Sequence, residues 1–324
     1  MRSIRRLALI AALALALVAT ACGDDGSDDV VESGDRPESE TTVADEEAAF
    51  PVTVTADNGE ITIESEPAAI VSLSPTGTEM LFAMGAGDQV VAVDEYSDYP
   101  AEAPTTDLSG YQPNIEAIAG YEPDLVVLSD DREDVVDGLT SLDIPVVVLG
   151  SAENLDDTYS QIEQLGAATG HIGDAAELVG QMQTDIDEIV AAQPAYETAP
   201  TYYHELTDSL YSATSDTFIG EMYGLLGFES IADDADGASE SGYPQLNAEF
   251  IVSADPDYIF LADAGAGEVS ADDVAARPGW SEMSAVSNGH IILVDEAIAS
   301  RWGPRMVDFL QTVSDGVAAG ADAN

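Results

Sequence analysis

The chain has 324 residues, and 63 acids face only eight arginines with no lysine, a formal net charge of −55 at pH 7. That balance excludes nucleic acid as a partner, because binding it requires basic side chains that displace condensed counterions. A hydrophobic content of 45% still allows a core, so the charge reads as a soluble surface, in keeping with adaptation to salt, and carries little functional information.

Residues 1–21 read as a secretory signal. Arg2, Arg5 and Arg6 form the positive region, and Leu7 to Val18 is an apolar run too short to span a bilayer comfortably. Ala19-Thr20-Ala21-Cys22 follows and resembles the lipobox of bacterial lipoproteins, with Ala19 where that motif more often has Leu. Cys22 is the only cysteine and has no disulfide partner, so lipidation is the expectation, with plain secretory cleavage as its alternative. Residues 22–49 are rich in Asp, Glu, Ser, Thr and Gly and read as a solvated acidic tether. From Phe50 the composition turns globular, with a first lobe expected over 50–170, a bridging helix over 171–194 and a second lobe over 195–320.

Val52–Thr55 and Glu60–Ile63 predict a hairpin turning at Asn58-Gly59. Ile70–Leu73 predicts a strand, and Ser74-Pro75-Thr76-Gly77 a loop before a helix over Glu79–Met84. Strands over 90–93, 125–128 and 146–149 alternate with helices near 115–120 and 132–142. The apolar residues Ala175, Leu178, Met182, Ile186 and Ile189 recur at helical steps until Pro194, which predicts the long bridging helix. Beyond it come strands over 201–204, 258–261 and 291–294 and helices over 217–226, 248–253 and 304–316. Short apolar strands alternating with helices predict an α/β fold, two lobes with mostly parallel sheets joined by one long helix.

Two distant stretches share one template, Asn-x-Glu-x-Ile-x-x-x-acid-Pro-Asp followed by an apolar strand. The first holds Asn114, Glu116, Ile118, Glu122, Pro123 and Asp124; the second holds Asn247, Glu249, Ile251, Asp255, Pro256 and Asp257. A tyrosine with Pro and Gln precedes each copy, at Tyr111-Gln112-Pro113 and Tyr243-Pro244-Gln245. The repeat implies lobes of like construction, with a ligand in the groove between them. Glu116 and Glu249 fall in first helical turns, where acids complement the helix dipole without further purpose. Their matched placement, one per lobe, also makes a two-point dock for a partner with two basic sites.

Ligands in open parallel sheets sit beyond the carboxyl ends of the strands. On the expected strands that rule selects Pro75-Thr76-Gly77, Tyr96 to Pro100, Ser129 to Arg132, Glu205 to Tyr211 and Glu296 to Trp302. With the segments before the template helices, these places hold Tyr96, Tyr99, Tyr111, Tyr211, Tyr243 and Trp302, a wall suited to a large, flat, partly apolar molecule. Some of these tyrosines are expected only to pack at lobe surfaces. Gly77 allows close approach of backbone to ligand. Arg132 and Arg301 are each placed either to meet an anionic group of a ligand or to pair with a neighbouring acid.

Taken together, Ile70 to Glu79, Tyr96-Ser97-Asp98-Tyr99-Pro100, Ile115 to Ile118, Glu122 to Leu128, Tyr243-Pro244-Gln245 with Glu249, and Arg301-Trp302-Gly303-Pro304-Arg305 resemble the cobalamin and ferric-siderophore binding proteins of ABC importers. The resemblance covers roughly 65–316. It implies two Rossmann-like lobes with a rather rigid hinge, a corrinoid or iron chelate held between them, and no cofactor. It also implies that Glu116 and Glu249 meet arginines of a membrane permease and, through it, an ATPase. Tyr96, Tyr111 and Tyr243 fall where the cobalamin branch places aromatic contacts, with tyrosine at 111 and 243 where tryptophan can stand. The few arginines favour a corrinoid over a strongly anionic siderophore. The expected place is outside the cytoplasm, lipid-anchored to the cell membrane through Cys22.

Among other classes, an enzyme lacks its parts: no Gly-x-Ser-x-Gly elbow or phosphate loop occurs, and His171, His204 and His290 are dispersed. A free metal ion as ligand lacks a histidine cluster. Heme remains an alternative, with a tyrosine or His204 as iron ligand and His204 expected near the cleft. A surface sensor or adhesin on the same scaffold is the other.

Overall fold

The computed structural model describes residues 50–263 and 269–322; the expected signal segment, the tether and Cys22 lie outside the described residues. β1 (Val52–Ala56) and β2 (Gly59–Ile63) form the expected antiparallel hairpin. Its turn residues are Asp57 and Asn58, and Gly59 opens β2 at a φ of 108°, a value that favours glycine.

The first lobe holds β3 (Ile70–Leu73), β4 (Val90–Asp94), β5 (Thr105–Leu108), β6 (Leu125–Leu128) and β7 (Val146–Val148), all parallel in the order β5-β4-β3-β6-β7. β6 and β7 are apolar throughout. β5 is polar, and its sequence Thr-Thr-Asp-Leu carries no strand signal; Thr106 ties it to β4 by donating to the Val93 carbonyl at 2.7 Å. The hairpin tip covers the opposite edge. Asn58 donates to the Val146 carbonyl at 2.9 Å and accepts from the Val148 amide at 3.0 Å, which satisfies groups an edge strand otherwise leaves open.

The helices of this lobe are α1 (Pro75–Ala83), α2 (Ile115–Ala119), α3 (Val135–Thr140) and α4 (Leu155–Thr169). α1 begins four residues earlier than expected. Ser74 accepts from the Gly77 amide at 3.1 Å as its N-cap, and Pro75 takes the first position, where no N–H is needed. Pro75, Thr76 and Gly77 are therefore the first helical turn and not a loop. α4 was not expected at all, although Asn154 caps it and Asp156 and Asp157 lie in its first turn. Its buried face includes Thr158, Gln161 and Thr169, and those polar residues break the apolar periodicity by which helices are read.

α5 (Ile172–Ala191) connects the lobes, packing on α4 on one side and on the closing helix on the other. The second lobe comprises β8 (Thr201–Glu205), α6 (Phe218–Leu225), β9 (Glu229–Ser230), α7 (Ala238–Ser241), α8 (Ala248–Ala254), β10 (Tyr258–Leu261), α9 (Ala271–Ala275), α10 (Ser284–Ser287), β11 (Ile291–Leu293), α11 (Glu296–Ala299) and α12 (Met306–Asp322). Its sheet is parallel with the order β11-β10-β8-β9. α12 starts after Pro304 and outruns the expected 304–316. Gly316 and Gly320 carry it past β11 because a Cβ at either would press on Ile292 or His290, at 2.7 and 2.8 Å.

Strand alternation sorts the core into three parts. Ile70, Leu125, Val127 and Val147 from one sheet and Tyr202 and Phe260 from the other enter a single cluster with α1, α4, α5, α6 and α12. Val71, Leu73, Val126 and Leu128 face outward under α2 and α3, and Tyr203, Ile259 and Leu261 do so around Trp280. One continuous core thus runs through both lobes, and a hinge opening between them would expose it to water.

Candidate functional site

Between the lobes lies a cleft of about 550 Å³ lined by Ser74, Pro75, Thr76, Glu95, Tyr96, Asp98 and Ser129 from the first and by Glu296, Ala297, Ser300, Arg301 and Trp302 from the second. These residues follow β3, β4, β6 and β11, so the cleft sits at carboxyl ends of parallel strands, where such sheets hold ligands. A larger hollow of about 680 Å³ lies under the hairpin, against Pro123, Asp124, Pro145 and Val146. Those residues open β6 and β7, the amino ends of the strands, and the hollow belongs to one lobe only.

Of the residues expected from the sequence, the structure brings Pro75, Thr76, Tyr96, Arg301 and Trp302 together around the cleft. Tyr99 stands beside them under the Arg305 guanidinium, 4.1 Å from its ring centre. Tyr111 and Arg132 form a separate pair, with the guanidinium 4.7 Å from the ring centre, and Tyr211 bridges to Gln245, next to the Tyr243 segment. These four do not line the cleft itself. Tyr96, Tyr99, Tyr111, Tyr211 and Tyr243 are all exposed, and they make half of the ten large apolar side chains so exposed among the described residues. Tyr99 and Tyr111 each lie against an arginine, whereas Tyr96 lines the cleft.

Gly77 is buried and turned away from the cleft: a Cβ there would meet Val127 Cγ1 at 2.9 Å, so the glycine serves the approach of α1 to β6. Gly110 makes a second close approach, its missing Cβ leaving room for the Leu73 carbonyl oxygen 2.6 Å away. His204 is also corrected. It is wholly buried, bonded through Nδ1 to the Tyr223 hydroxyl at 2.8 Å, and burial lowers its pKa to about 3, so it is a neutral core residue out of a ligand's reach.

Both expected arginines have acid partners. Arg132 meets Asp130 at 3.1 Å in an exposed pair. Arg301 meets Glu79 at 2.7 Å and Asp98 at 2.9 Å, and donates to the Tyr96 carbonyl at 3.0 Å. Glu79 also takes Arg305 through Nε at 2.9 Å and Nη2 at 2.5 Å. Sequence reasoning missed Glu79 and Arg305. The signal was an acid set within the apolar helix stretch Met80-Leu81-Phe82, and two of the four globular-region arginines crowded into five positions. Asp94 was missed as well. It is buried at the end of β4, accepts from Ser97 Oγ at 2.6 Å, and burial raises its pKa above the usual range.

A second buried acid pair closes the carboxyl ends of β8 and β10. Glu205 is wholly buried and bidentate to Arg277 at 2.5 and 2.6 Å, and Arg277 lies over Trp280, 4.6 Å from the ring centre. Burial, and then the Glu205 charge, push the neighbouring Asp263 up to about 6 from an ordinary 3.8. The folded protein holds this proton more tightly than the unfolded chain does. The associated stability is fully present below the ordinary value and is lost as pH rises through about 6. Asp263→Asn, which keeps the neutral form at every pH, is therefore expected to raise the unfolding midpoint by a few degrees at pH 7 and to leave it unchanged at pH 4. Thermal unfolding across that range is the check, and an equal effect at both ends removes Asp263 as the titrating group.

The template residues separate into structural and unassigned. Asn114 and Asn247 are N-caps, accepting from the Ala117 and Phe250 amides at 3.0 and 2.9 Å. Asp124 accepts from the Ala68 and Ala69 amides, and Asp257 from the Thr201 amide, so each fastens the start of the neighbouring strand. Glu122 and Asp255 both take a left-handed conformation, φ 52° and 49°, ending the helix ahead of the proline. Glu116 and Glu249 remain, exposed, one in the first turn of α2 and one in that of α8, with no side-chain partner among the described residues.

The sequence matches the model of one family, described as periplasmic binding protein, over residues 70–298. The uncharacterized ABC transporter substrate-binding lipoprotein YvrC of Bacillus subtilis is 31% identical over 97% of each chain. A cobalamin-binding protein of Halobacterium salinarum is 32% identical over 84% of this chain and 76% of its own. Among solved structures, the periplasmic vitamin B12 binding protein of Vibrio cholerae superposes with a TM-score of 0.63 at 25% identity, covering 79% of this chain and 98% of that one. The periplasmic heme binding protein HutB of Vibrio cholerae gives 0.68 at 25% identity, covering 76% and 97%. With the two parallel sheets, the helix joining them and the cleft at their carboxyl ends, the chain belongs to the periplasmic binding protein family.

Proposed function

We propose that the protein is the extracytoplasmic substrate-binding component of an ABC importer, capturing a cobalamin-like corrinoid between its lobes and delivering it to a membrane permease. The observation that carries this reading is the cleft: it lies at the carboxyl ends of strands from both lobes and has exposed aromatic rings at and beside its rim. Tyr96, Tyr99 and Trp302 supply flat apolar surface with polar tips, suited to a corrin edge. The arginines nearest the cleft are already neutralised by Glu79 and Asp98, while Glu95 and Glu296 add negative charge, which disfavours strongly anionic chelates. The name of the Halobacterium salinarum relative supports the same ligand class. Cys22 carries the lipid that holds the protein to the cell membrane, in line with the description of YvrC as a lipoprotein. Glu116 and Glu249 are the contacts to the permease.

Ferric siderophore and heme are the neighbouring ligand classes. Heme has a specific point in its favour, the exposed phenol of Tyr96 at the cleft wall, but His204 cannot assist it from the core. Calorimetry or thermal shift with cobalamin, cobinamide, ferric siderophores and heme tests the reading. Corrinoids are expected to bind at micromolar concentration or below and raise the unfolding midpoint by mass action. Silence from both corrinoids, with binding of heme or a siderophore, replaces the ligand class.

A further inference from the structure

The segment 301–305 belongs to the second lobe, yet its side chains end on the first. Arg301 divides its guanidinium: one terminal amino group donates to Glu79 on α1, and the other to the Tyr96 carbonyl and to Asp98. Arg305 closes on the same Glu79 and covers the Tyr99 ring. Trp302 donates through its indole to Gln161 of α4 at 3.1 Å. The three long side chains act as a strap across the seam.

What the strap holds is the loop of residues 95–100. The base of that loop is secured from within the first lobe, where Ser97 donates to Asp94 and Thr78 on α1 lies 3.0 Å from Ser97 Oγ. Its outer parts, the Tyr96 carbonyl, the Asp98 carboxylate and the Tyr99 ring, have only the two arginines as partners in the described structure. The two exposed tyrosines that form the cleft's aromatic rim are thus indexed to the opposite lobe.

We propose that Arg301 and Arg305, anchored on Glu79, are positioning residues that set the Tyr96–Pro100 loop in its ligand-receiving place from across the seam. This rests on the reading of the cleft as the ligand site. Arg301 then acts on the ligand through Tyr96 and Asp98, because both of its terminal amino groups are already engaged by protein oxygens. A loop held ready before the ligand arrives spares the ordering cost at binding. Arginine is needed because its planar fork reaches two directions at once, whereas a lysine ammonium serves one point.

The test uses Arg301→Lys, which leaves Glu79 paired to Arg305, and Asp98→Asn, an exposed change that leaves every buried group in place. Backbone hydrogen exchange and calorimetric affinity for cyanocobalamin are read on the full chain. Arg301→Lys is expected to speed exchange in residues 95–100 by about tenfold over the rest of the chain and to weaken binding by about tenfold, the cost of ordering a few side chains. Asp98→Asn is expected to move both in the same direction by less. Lost affinity in Arg301→Lys with exchange at 95–100 unchanged, and full affinity in Asp98→Asn, overturns the proposal in favour of direct contact with ligand. Faster exchange with undiminished affinity overturns it too. If the wild type binds no cobalamin, the ligand reading fails by itself, and the exchange measurement alone then decides whether the strap holds the loop.

Discussion

Replacing Glu116 and Glu249 together with alanine is expected to abolish importer-dependent uptake while leaving ligand affinity where it was. Both carboxylates are exposed and have no partner within the described structure, so their loss removes nothing the fold uses beyond a dipole contribution of about 0.3–1 kcal/mol each. At a docked interface the position reverses. An arginine left without its buried partner costs on the order of 2 kcal/mol or more, roughly a thirtyfold loss of docking per site. Each single variant should then lower uptake and the pair should silence it. Radiolabelled corrinoid uptake in cells carrying the cognate permease and ATPase, with calorimetry on the same variants, separates docking from capture. Unimpaired uptake by the double variant would refute the docking role.

Glu79→Ala has the largest expected effect on the fold itself. Glu79 is 1% exposed, and the arginine side chains it pairs with are 12% and 13% exposed, so the substitution leaves Arg305 with no ion-pair partner among the described residues and Arg301 with only the exposed Asp98. Breaking such a pair from one side costs about 3–5 kcal/mol, which for a chain of this size lowers the unfolding midpoint by on the order of 10 °C. The exposed Arg132–Asp130 pair supplies the contrast. With side chains 43% and 56% exposed, its removal through Asp130→Ala should change the midpoint by no more than about a degree. Differential scanning calorimetry on both variants is the measurement, and equal midpoints for the two would show that the seam does not depend on Glu79. Parting the lobes along this seam would break the same ion pairs and expose the shared core.

The central strands of both sheets are legible because short, mainly apolar runs bounded by Pro, Gly and Asp leave little choice of state, whereas the polar edge strands β5 and β9 carry no such run. Ile70–Leu73, Leu125–Leu128 and Tyr258–Leu261 appear where they were expected. The repeat was legible for the same kind of reason, since an Asn cap, an acid before proline and a strand-fastening Asp are local devices whose chemistry shows in the residue types. Where the reading stopped short, the deciding partners were distant. Ser74-Pro75-Thr76-Gly77 looks like a loop until Ser74 is seen to cap α1, and Gly77 looks like a ligand-facing glycine until Val127 of β6 is found against it. α4 carries no clear apolar period because its inner face holds Gln161, which donates to the Gly150 carbonyl and accepts from the Trp302 indole, 141 positions away.

The sequence alone determined the class of the fold, the two-lobed plan and the loops that follow the central strands, since all of these follow from period, composition and turn chemistry acting over a few neighbouring residues. Tertiary structure alone decided which side chains reach the cleft and which are already engaged. It joined Glu79 to Arg301 and Arg305 across more than 220 positions, withdrew His204 into the core and left Glu116 and Glu249 exposed at the surface. Charge pairing and burial depend on where distant segments meet in space, and no local pattern encodes that distance.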